Sequence, residues 1–305
     1  MTTTLYTHPA CLRHNPGPDR DFGPARIRAV LAALKTLEFG QLIWREASPI
    51  TLEHLRLVHT QEYIDSVLAP IPSGEERAFD FETFATRGTA EAALHAAGLV
   101  MQATDDVIAG RAHNAFCVVS PGGHHAEADK ALGYCFFNHV AVAAVAAQKI
   151  LGQSRMAVLD IDAHHGNGTQ SVFWNHRDRL FVSLHEENNL SGFAHEIGAW
   201  GNVLNINLPT GSDHTAFEQA LENQALPKIA NFKPDILFVS AGFDMHKDDP
   251  LSGLCLETED YARIGKRLKD FADVTCQGRL VAVLEGGYNL DALAASVAAF
   301  VKGRM

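Results

Sequence analysis

Six short apolar runs, at 115–119, 156–161, 180–184, 203–208, 236–239 and 280–284, punctuate this chain beyond residue 110, and Gly, Pro or Asp bounds each of them. They are rich in Val, Ile, Leu and Phe and apolar at consecutive positions, so both of their faces must be buried. That is the pattern of parallel strands covered by helices on two sides. Helical periodicity over 140–150, 216–229, 257–271 and 290–301 falls between several of them. Strand alternating with helix predicts an α/β fold around a parallel sheet. Upstream, the chain reads as mostly helical and loop-rich. Leu5 and Tyr6 open a strand, 24–37 is a helix with Pro24 in its first turn, 71–74 is a loop, and 86–108 is an Ala-rich helix. No linker, low-complexity stretch or internal repeat interrupts the 305 residues, so one domain over 1–305 is expected.

Chemistry-bearing side chains follow five of the runs. The first leads to Ser120-Pro-Gly-Gly-His124-His125. The second contains Asp160 and leads to Asp162-Ala-His164-His165-Gly-Asn167, and the third ends at His185. The fifth leads through Gly242 and Phe243 to Asp244, and the sixth to Glu285-Gly-Gly-Tyr288-Asn289. Open parallel sheets bind ligands beyond the carboxyl ends of their strands, so these segments predict one site.

Asp162 and His164 are two apart at a strand end. On an extended backbone they project to the same side and can ligate one metal, with Asp244 from another strand as third ligand. Three protein ligands and an open position define a catalytic zinc site, and the same donors suit Fe(II), Co(II) or Mn(II). A neutral imidazole near a metal-bound water is suited to take its proton, which makes His124 and His125 the acid/base candidates. Each needs a partner on its other nitrogen, and Asp160 and Asn167 are the candidates for His124 and His125 respectively. Tyr288, after Gly286 and Gly287, can donate a hydrogen bond to an oxyanion.

Charge and cysteine usage narrow the partners. A formal charge of −11 without any Lys/Arg cluster argues against direct nucleic-acid binding and suits a cationic or basic partner. The five cysteines are widely spaced with no Cys-x-x-Cys, which points to neither a disulfide framework nor a thiolate zinc site, but to a reducing compartment. The opening Met-Thr-Thr-Thr-Leu lacks the regions of a signal peptide, and the apolar stretch at 140–147 is far short of a membrane span. A cytoplasmic protein without membrane contact is expected.

Taken together, the segments resemble the histone deacetylase superfamily, which also contains acetylpolyamine amidohydrolases. The matching stretches are Pro-Gly-Gly-His-His, Gly-Tyr-Cys-Phe-Phe-Asn at 133–138, Asp-Ile-Asp-Ala-His-His-Gly-Asn-Gly-Thr at 160–169, Ser-Leu-His at 183–185, Gly-Phe-Asp at 242–244 and Glu-Gly-Gly-Tyr-Asn at 285–289. The resemblance runs from about residue 5 to 300. It implies an arginase-like three-layer α/β/α domain with a parallel sheet of about eight strands. By motif it implies a single catalytic Zn2+, with Fe2+ or Co2+ as alternatives, on Asp162, His164 and Asp244. His124 and His125 become the acid/base pair and Tyr288 the oxyanion donor. It also implies structural K+, one ion contacting Asp160, Ser183 and the backbone at Asp162, His164 and Leu184. Gly133 and Tyr134 would line an acyl-lysine tunnel, and Gly286 is counted with the substrate-binding positions. Asn167, where some members have Asp, resembles the class II branch.

Departures from the family pattern bear on substrate. Ser120-Pro-Gly-Gly replaces Arg-Pro-Pro-Gly, and Tyr134 stands where Phe is frequent. The rim acid that binds a substrate backbone falls on Glu82, with Asp80 as competitor. Leu251 stands where the polyamine-selective animal enzymes carry Glu, so an acyl-lysine in a peptide or protein is the expected substrate. The segment 186–200 matches neither group. An arginase-like dimanganese enzyme is the first rival, but Gly166 occupies the position of its second-metal carboxylate. A non-catalytic acyl-lysine binder is the second, but ligands and Tyr288 are all present.

Overall fold

The computed structural model describes residues 3–17, 20, 22–152, 154–187 and 195–304. In chain order the strands are β1 (Thr3–Tyr6), β2 (Ile43–Arg45), β3 (Arg77–Ala78), β4 (Phe84–Ala85), β5 (Asn114–Cys117), β6 (Met156–Asp160), β7 (Arg179–Glu186), β8 (Val203–Leu208), β9 (Ile236–Ala241) and β10 (Leu280–Leu284). The helices are α1 (Pro24–Leu34), α2 (Leu52–Leu55), α3 (Gln61–Leu68), α4 (Thr89–Ile108), α5 (His139–Leu151), α6 (Asn167–Phe173), α7 (His214–Ala220), α8 (Leu226–Phe232), α9 (Thr258–Thr275) and α10 (Leu290–Gly303). Eight strands form one sheet in the order β2-β1-β5-β10-β9-β6-β7-β8, and β3 pairs with β4 as a small hairpin. Every pairing in the large sheet is parallel.

Side chains alternate across the sheet with period two, so each strand feeds two cores. On β5, Phe116 belongs to the core shared with α1, α9 and α10, among Ile27, Leu268 and Phe300. Its neighbours Ala115 and Cys117 belong to the core under α4 and α5, with Leu99, Val100 and Val140. Helices on both faces explain why the central strands are apolar at most of their positions. The fold is the three-layer, arginase-like α/β/α arrangement that the resemblance implied.

Differences from the sequence reading are local. The edge strand β2 is only three residues long and partly exposed, too short to print a pattern; its pairing with β1 makes it a strand. The helix expected over 24–37 stops at Leu34, and a 3-10 turn takes Leu37–Phe39. The helix expected over 216–229 is two helices joined by a π turn at Leu221–Ala225, with Pro227 in the first turn of α8. Proline has no N–H for the helical ladder, so the bonding pattern shifts there. Among the described residues, no helix is long and apolar enough to cross a membrane.

Strand order places the site. The chain lays β5 in the middle of the sheet, runs through β6, β7 and β8 to one edge, and returns to fill the gap between β5 and β6 with β9 and β10. The carboxyl ends of β5, β10, β9 and β6 thus become neighbours, and these are the ends that carry His124 and His125, Tyr288, Asp244, and Asp162 with His164.

Candidate active site

β6 ends at Asp160 and the chain bends at once. Oδ1 of Asp162 accepts the His164 N–H at 2.9 Å, closing a local side-chain turn. Asp162 and His164 therefore converge through that turn, and not from an extended strand as their spacing suggested. His164 Nδ1 stands 3.1 Å from Asp162 Oδ1 and 2.9 Å from Asp244 Oδ2, and candidate donor atoms of all three lie within 4.8 Å of one another. Donors about 2.1 Å from a common tetrahedral ion stand roughly 3.4 Å apart, so these residues fit a divalent metal. Their other oxygens are occupied: Asp162 Oδ2 accepts the Gly286 N–H at 2.8 Å and Asp244 Oδ1 the Ala163 N–H at 2.9 Å. Both carboxylates are buried. Burial and the neighbouring Asp162 push the Asp244 carboxyl up to about 7, a penalty that a cation between them would remove. Gly286, expected among the substrate-binding positions, packs directly on the ligand cluster. It supports the carboxylates, and a Cβ there would collide with Oδ2 of both aspartates.

The histidine pair sits beside this cluster, with ring centroids 4.0 Å apart and His125 6.2 Å from His164. His124 Nδ1 lies 3.0 Å from Asp160 Oδ2, and His125 Nδ1 lies 2.8 Å from Asn167 Oδ1, the two partners read from the sequence. Burial opposes a charge on both rings. On His124 the Asp160 and Asp162 carboxylates outweigh it and push the imidazole up to about 10. On His125 burial, with His124 and His164 nearby, holds it well below the usual range. One ring thus favours the cation and the other the neutral form, a difference that the sequence left open.

Tyr288 closes the other side. Its ring centroid is 6.1 Å from those of Tyr134 and Phe22. Burial, with Asp162 and Asp244 nearby, raises its hydroxyl well above the usual range, so it remains a donor. Gly133 and Tyr134 both have positive φ, 55° and 62°. A Cβ on Gly133 would run into the His125 imidazole. The Tyr134 N–H donates to Thr83 Oγ1 at 3.0 Å, its ring stacks on Phe22 at 5.3 Å, and its hydroxyl bonds Glu82. The two candidate rim acids make different contacts. Asp80 Oδ1 accepts the N–H groups of Glu82 and Thr83 and closes the turn, whereas Glu82 reaches the wall. Leu251 is half-buried, its N–H held by Asp249 Oδ1 at 3.0 Å. Asp160 and Ser183 are register partners on β6 and β7; Ser183 Oγ lies 2.9 Å from His185 Nδ1, and Leu184 is buried. Residues 188–194 of the segment that matched neither group lie outside the described residues.

Three further residues shape the site. Glu285 accepts the N–H groups of Gly123 at 2.8 Å and His124 at 3.3 Å, fixing the loop of the pair, and burial pushes its carboxyl up to about 7. Asp249 Oδ2 accepts the Tyr288 N–H at 2.7 Å. Arg26 on α1 is buried, donates to the carbonyls of Glu285 and Gly287, and stands 5.3 Å from the Tyr288 ring. Glu285 lies inside the Glu-Gly-Gly-Tyr-Asn motif already singled out, where an acid before two glycines was the available signal, whereas Asp249 lies outside those motifs. Arg26 has no such signal, because its partners are more than 250 residues away.

An eight-stranded α/β/α fold with this cluster at its carboxyl ends defines the arginase and deacetylase class of hydrolases. The model of the histone deacetylase domain matches residues 20–304, and the chain belongs to the histone deacetylase family of deacetylases and amidohydrolases. It is 35% identical over 295 residues to the chloroplastic histone deacetylase 10 of rice, covering 90% of this chain and 67% of that one. It is 38% identical over 257 residues to a histone deacetylase-like amidohydrolase of Pseudomonas aeruginosa, covering 82% and 67%. The crystal structure of the HDA15 HD domain superposes with a TM-score of 0.90 at 33% identity, covering 99% of this chain and 87% of that one. The chain spans between 48% and 74% of the length of four plant histone deacetylases that it matches.

Proposed function

We propose that this chain is a single-domain, metal-dependent deacylase that hydrolyses the amide of an acetylated or otherwise acylated lysine in a peptide or protein. The observation that carries the reading is the convergence of Asp162, His164 and Asp244 beside a histidine pair whose outer nitrogens are already engaged. A divalent ion, Zn2+ by the donor set with Fe2+ or Co2+ as alternatives, would polarise the acyl carbonyl and acidify a water there. His125, neutral and with Nδ1 engaged by Asn167, takes the water proton on Nε2. His124, its Nδ1 engaged by Asp160, lies beside the same cluster and adds positive charge next to the developing oxyanion when protonated. The Tyr288 hydroxyl donates to the same oxygen. The C–N bond then breaks, the water oxygen stays on the acyl carbon, and the proton taken by His125 passes to the leaving amine.

Asp160 and Ser183, side by side on adjacent strands, offer hard oxygen donors that suit a structural K+ together with the backbone at Asp162, His164 and Leu184. All five cysteines are free, which supports a reducing, cytoplasmic setting. Glu82 and Tyr134 form a polar patch on a wall otherwise made by Phe22, suited to a peptide backbone. Leu251 offers no charge to a distant ammonium, which favours acyl-lysine over acetylpolyamine. The test compares kcat/KM for an acetyl-lysine peptide with acetylspermidine and acetylputrescine. The peptide should be preferred, and Leu251→Glu should gain polyamine turnover. A polyamine preference of about tenfold or more, ~1.4 kcal/mol, would overturn the substrate assignment.

A further inference from the structure

The amide of Asn167 reaches beyond His125. Its Nδ2 donates to Glu127 Oε1 at 2.7 Å and, at 3.3 Å, to the carbonyl of His125. These contacts fix which way the amide faces. In the flipped orientation, Oδ1 would meet a carboxylate oxygen and a carbonyl oxygen, acceptor against acceptor, with no hydrogen between them. Oδ1 must therefore face His125 Nδ1 at 2.8 Å. An amide oxygen only accepts, so Nδ1 carries the hydrogen and the lone pair of neutral His125 is on Nε2.

Glu127 is itself held in place. Its N–H donates to the Lys130 carbonyl at 2.9 Å and its carbonyl accepts from His59 Nδ1 at 2.9 Å. The other nitrogen of His59 accepts the Asn138 N–H at 3.0 Å, and Asn138 is the N-cap of α5. Glu127 is half-buried, at a surface groove that it shares with Asn167, Gln170 and Trp174.

We propose that Glu127 is a positioning residue for the hydrolysis: through Asn167 it locks His125 in the Nδ1–H tautomer and so keeps the Nε2 lone pair available as the base. The inference rests on the reading of His125 as that base. The carboxylate also polarises the amide, placing more negative charge on Oδ1 and strengthening its bond to the imidazole. Without it, the long bond to the His125 carbonyl alone resists rotation of Asn167. The flipped amide would donate to Nδ1, move the hydrogen to Nε2 and remove the base.

The experiment uses Zn2+-loaded protein labelled with 15N at histidine, with His125→Ala assigning the His125 signals. Long-range 1H–15N spectra report the tautomer, and kcat and KM are measured on an acetyl-lysine peptide. In the wild type, His125 should give the Nδ1–H pattern. Glu127→Ala should mix the two tautomers and lower kcat by about tenfold or more, with KM within about twofold. Glu127→Gln retains an acceptor for Asn167, so it should keep the Nδ1–H pattern and most of kcat. An unchanged tautomer and kcat in Glu127→Ala would overturn the proposal. So would loss of kcat in Glu127→Ala with the tautomer intact. The tautomer reads independently of turnover, so a wild type that hydrolyses no acyl-lysine would refute the functional reading and leave the lock to be judged from the spectra.

Discussion

The two ends of the central sheet bury polar groups in opposite ways. At the amino ends, donors meet acceptors that the chain itself supplies. Buried Asn202, just before β8, donates through Nδ2 to the carbonyls of Phe173 at 2.8 Å, His176 at 3.1 Å and Arg179 at 2.9 Å, and its Oδ1 accepts the Trp200 N–H at 3.2 Å. At the carboxyl ends, Asp160, Asp162, Asp244 and Glu285 are gathered with His124 and His164, all of them buried or nearly so. Like charges brought together without water are unfavourable unless a cation joins them. One end is built for stability. The other gathers carboxylates whose crowding a bound cation would relieve, which is the arrangement expected of the proposed metal site.

The contrast predicts opposite consequences for substitutions at the two ends. The largest effect belongs to Tyr288→Phe, which removes one oxyanion donor and should cut kcat by about two to three orders of magnitude while metal content and melting temperature stay unchanged. Turnover within threefold of wild type would remove Tyr288 from the mechanism. A smaller effect should separate stability from chemistry. Asn202→Ala leaves the buried carbonyls of Phe173, His176 and Arg179 short of a donor and should cost about 1–3 kcal/mol of unfolding free energy, with kcat per folded molecule unchanged. In metal-free protein Asp244→Asn should act in the reverse sense and raise the melting temperature, because it removes one of two crowded carboxylates while abolishing turnover. Thermal unfolding of both variants without metal checks the pair of signs, and a loss of stability in both would erase the distinction.

How much of this was legible in the sequence follows from where the determining contacts lie. Runs such as 236–239 and 280–284 announce buried strands because neighbouring side chains must all be apolar, and the motif residues announce themselves by standing at strand ends. The partners Asp160 and Asn167 were readable because they sit within the same motif as Asp162 and His164. Less legible was anything set by distant packing. β2 is a strand only because β1 lies beside it, and Arg26 reaches the site from another layer. The bend after Asp160 was misread as extended chain, because side-chain capping by Asp162 competes with strand geometry at that point. The different contacts of Asp80 and Glu82 also needed the structure, since they depend on the turn at 80–83 and on Tyr134 beside it.

The claim at the centre is that Asp162, His164 and Asp244 hold one catalytic metal. Its most direct test is the divalent metal content per chain of the wild type, His164→Ala and Asp244→Ala, measured by mass spectrometry on protein purified with and without added Zn2+. One ion per wild-type chain is predicted, with little or none in either variant and no acyl-lysine hydrolysis by them, since each loses one of three protein ligands. Full metal content with wild-type turnover in either variant, or two divalent ions per wild-type chain, would contradict it.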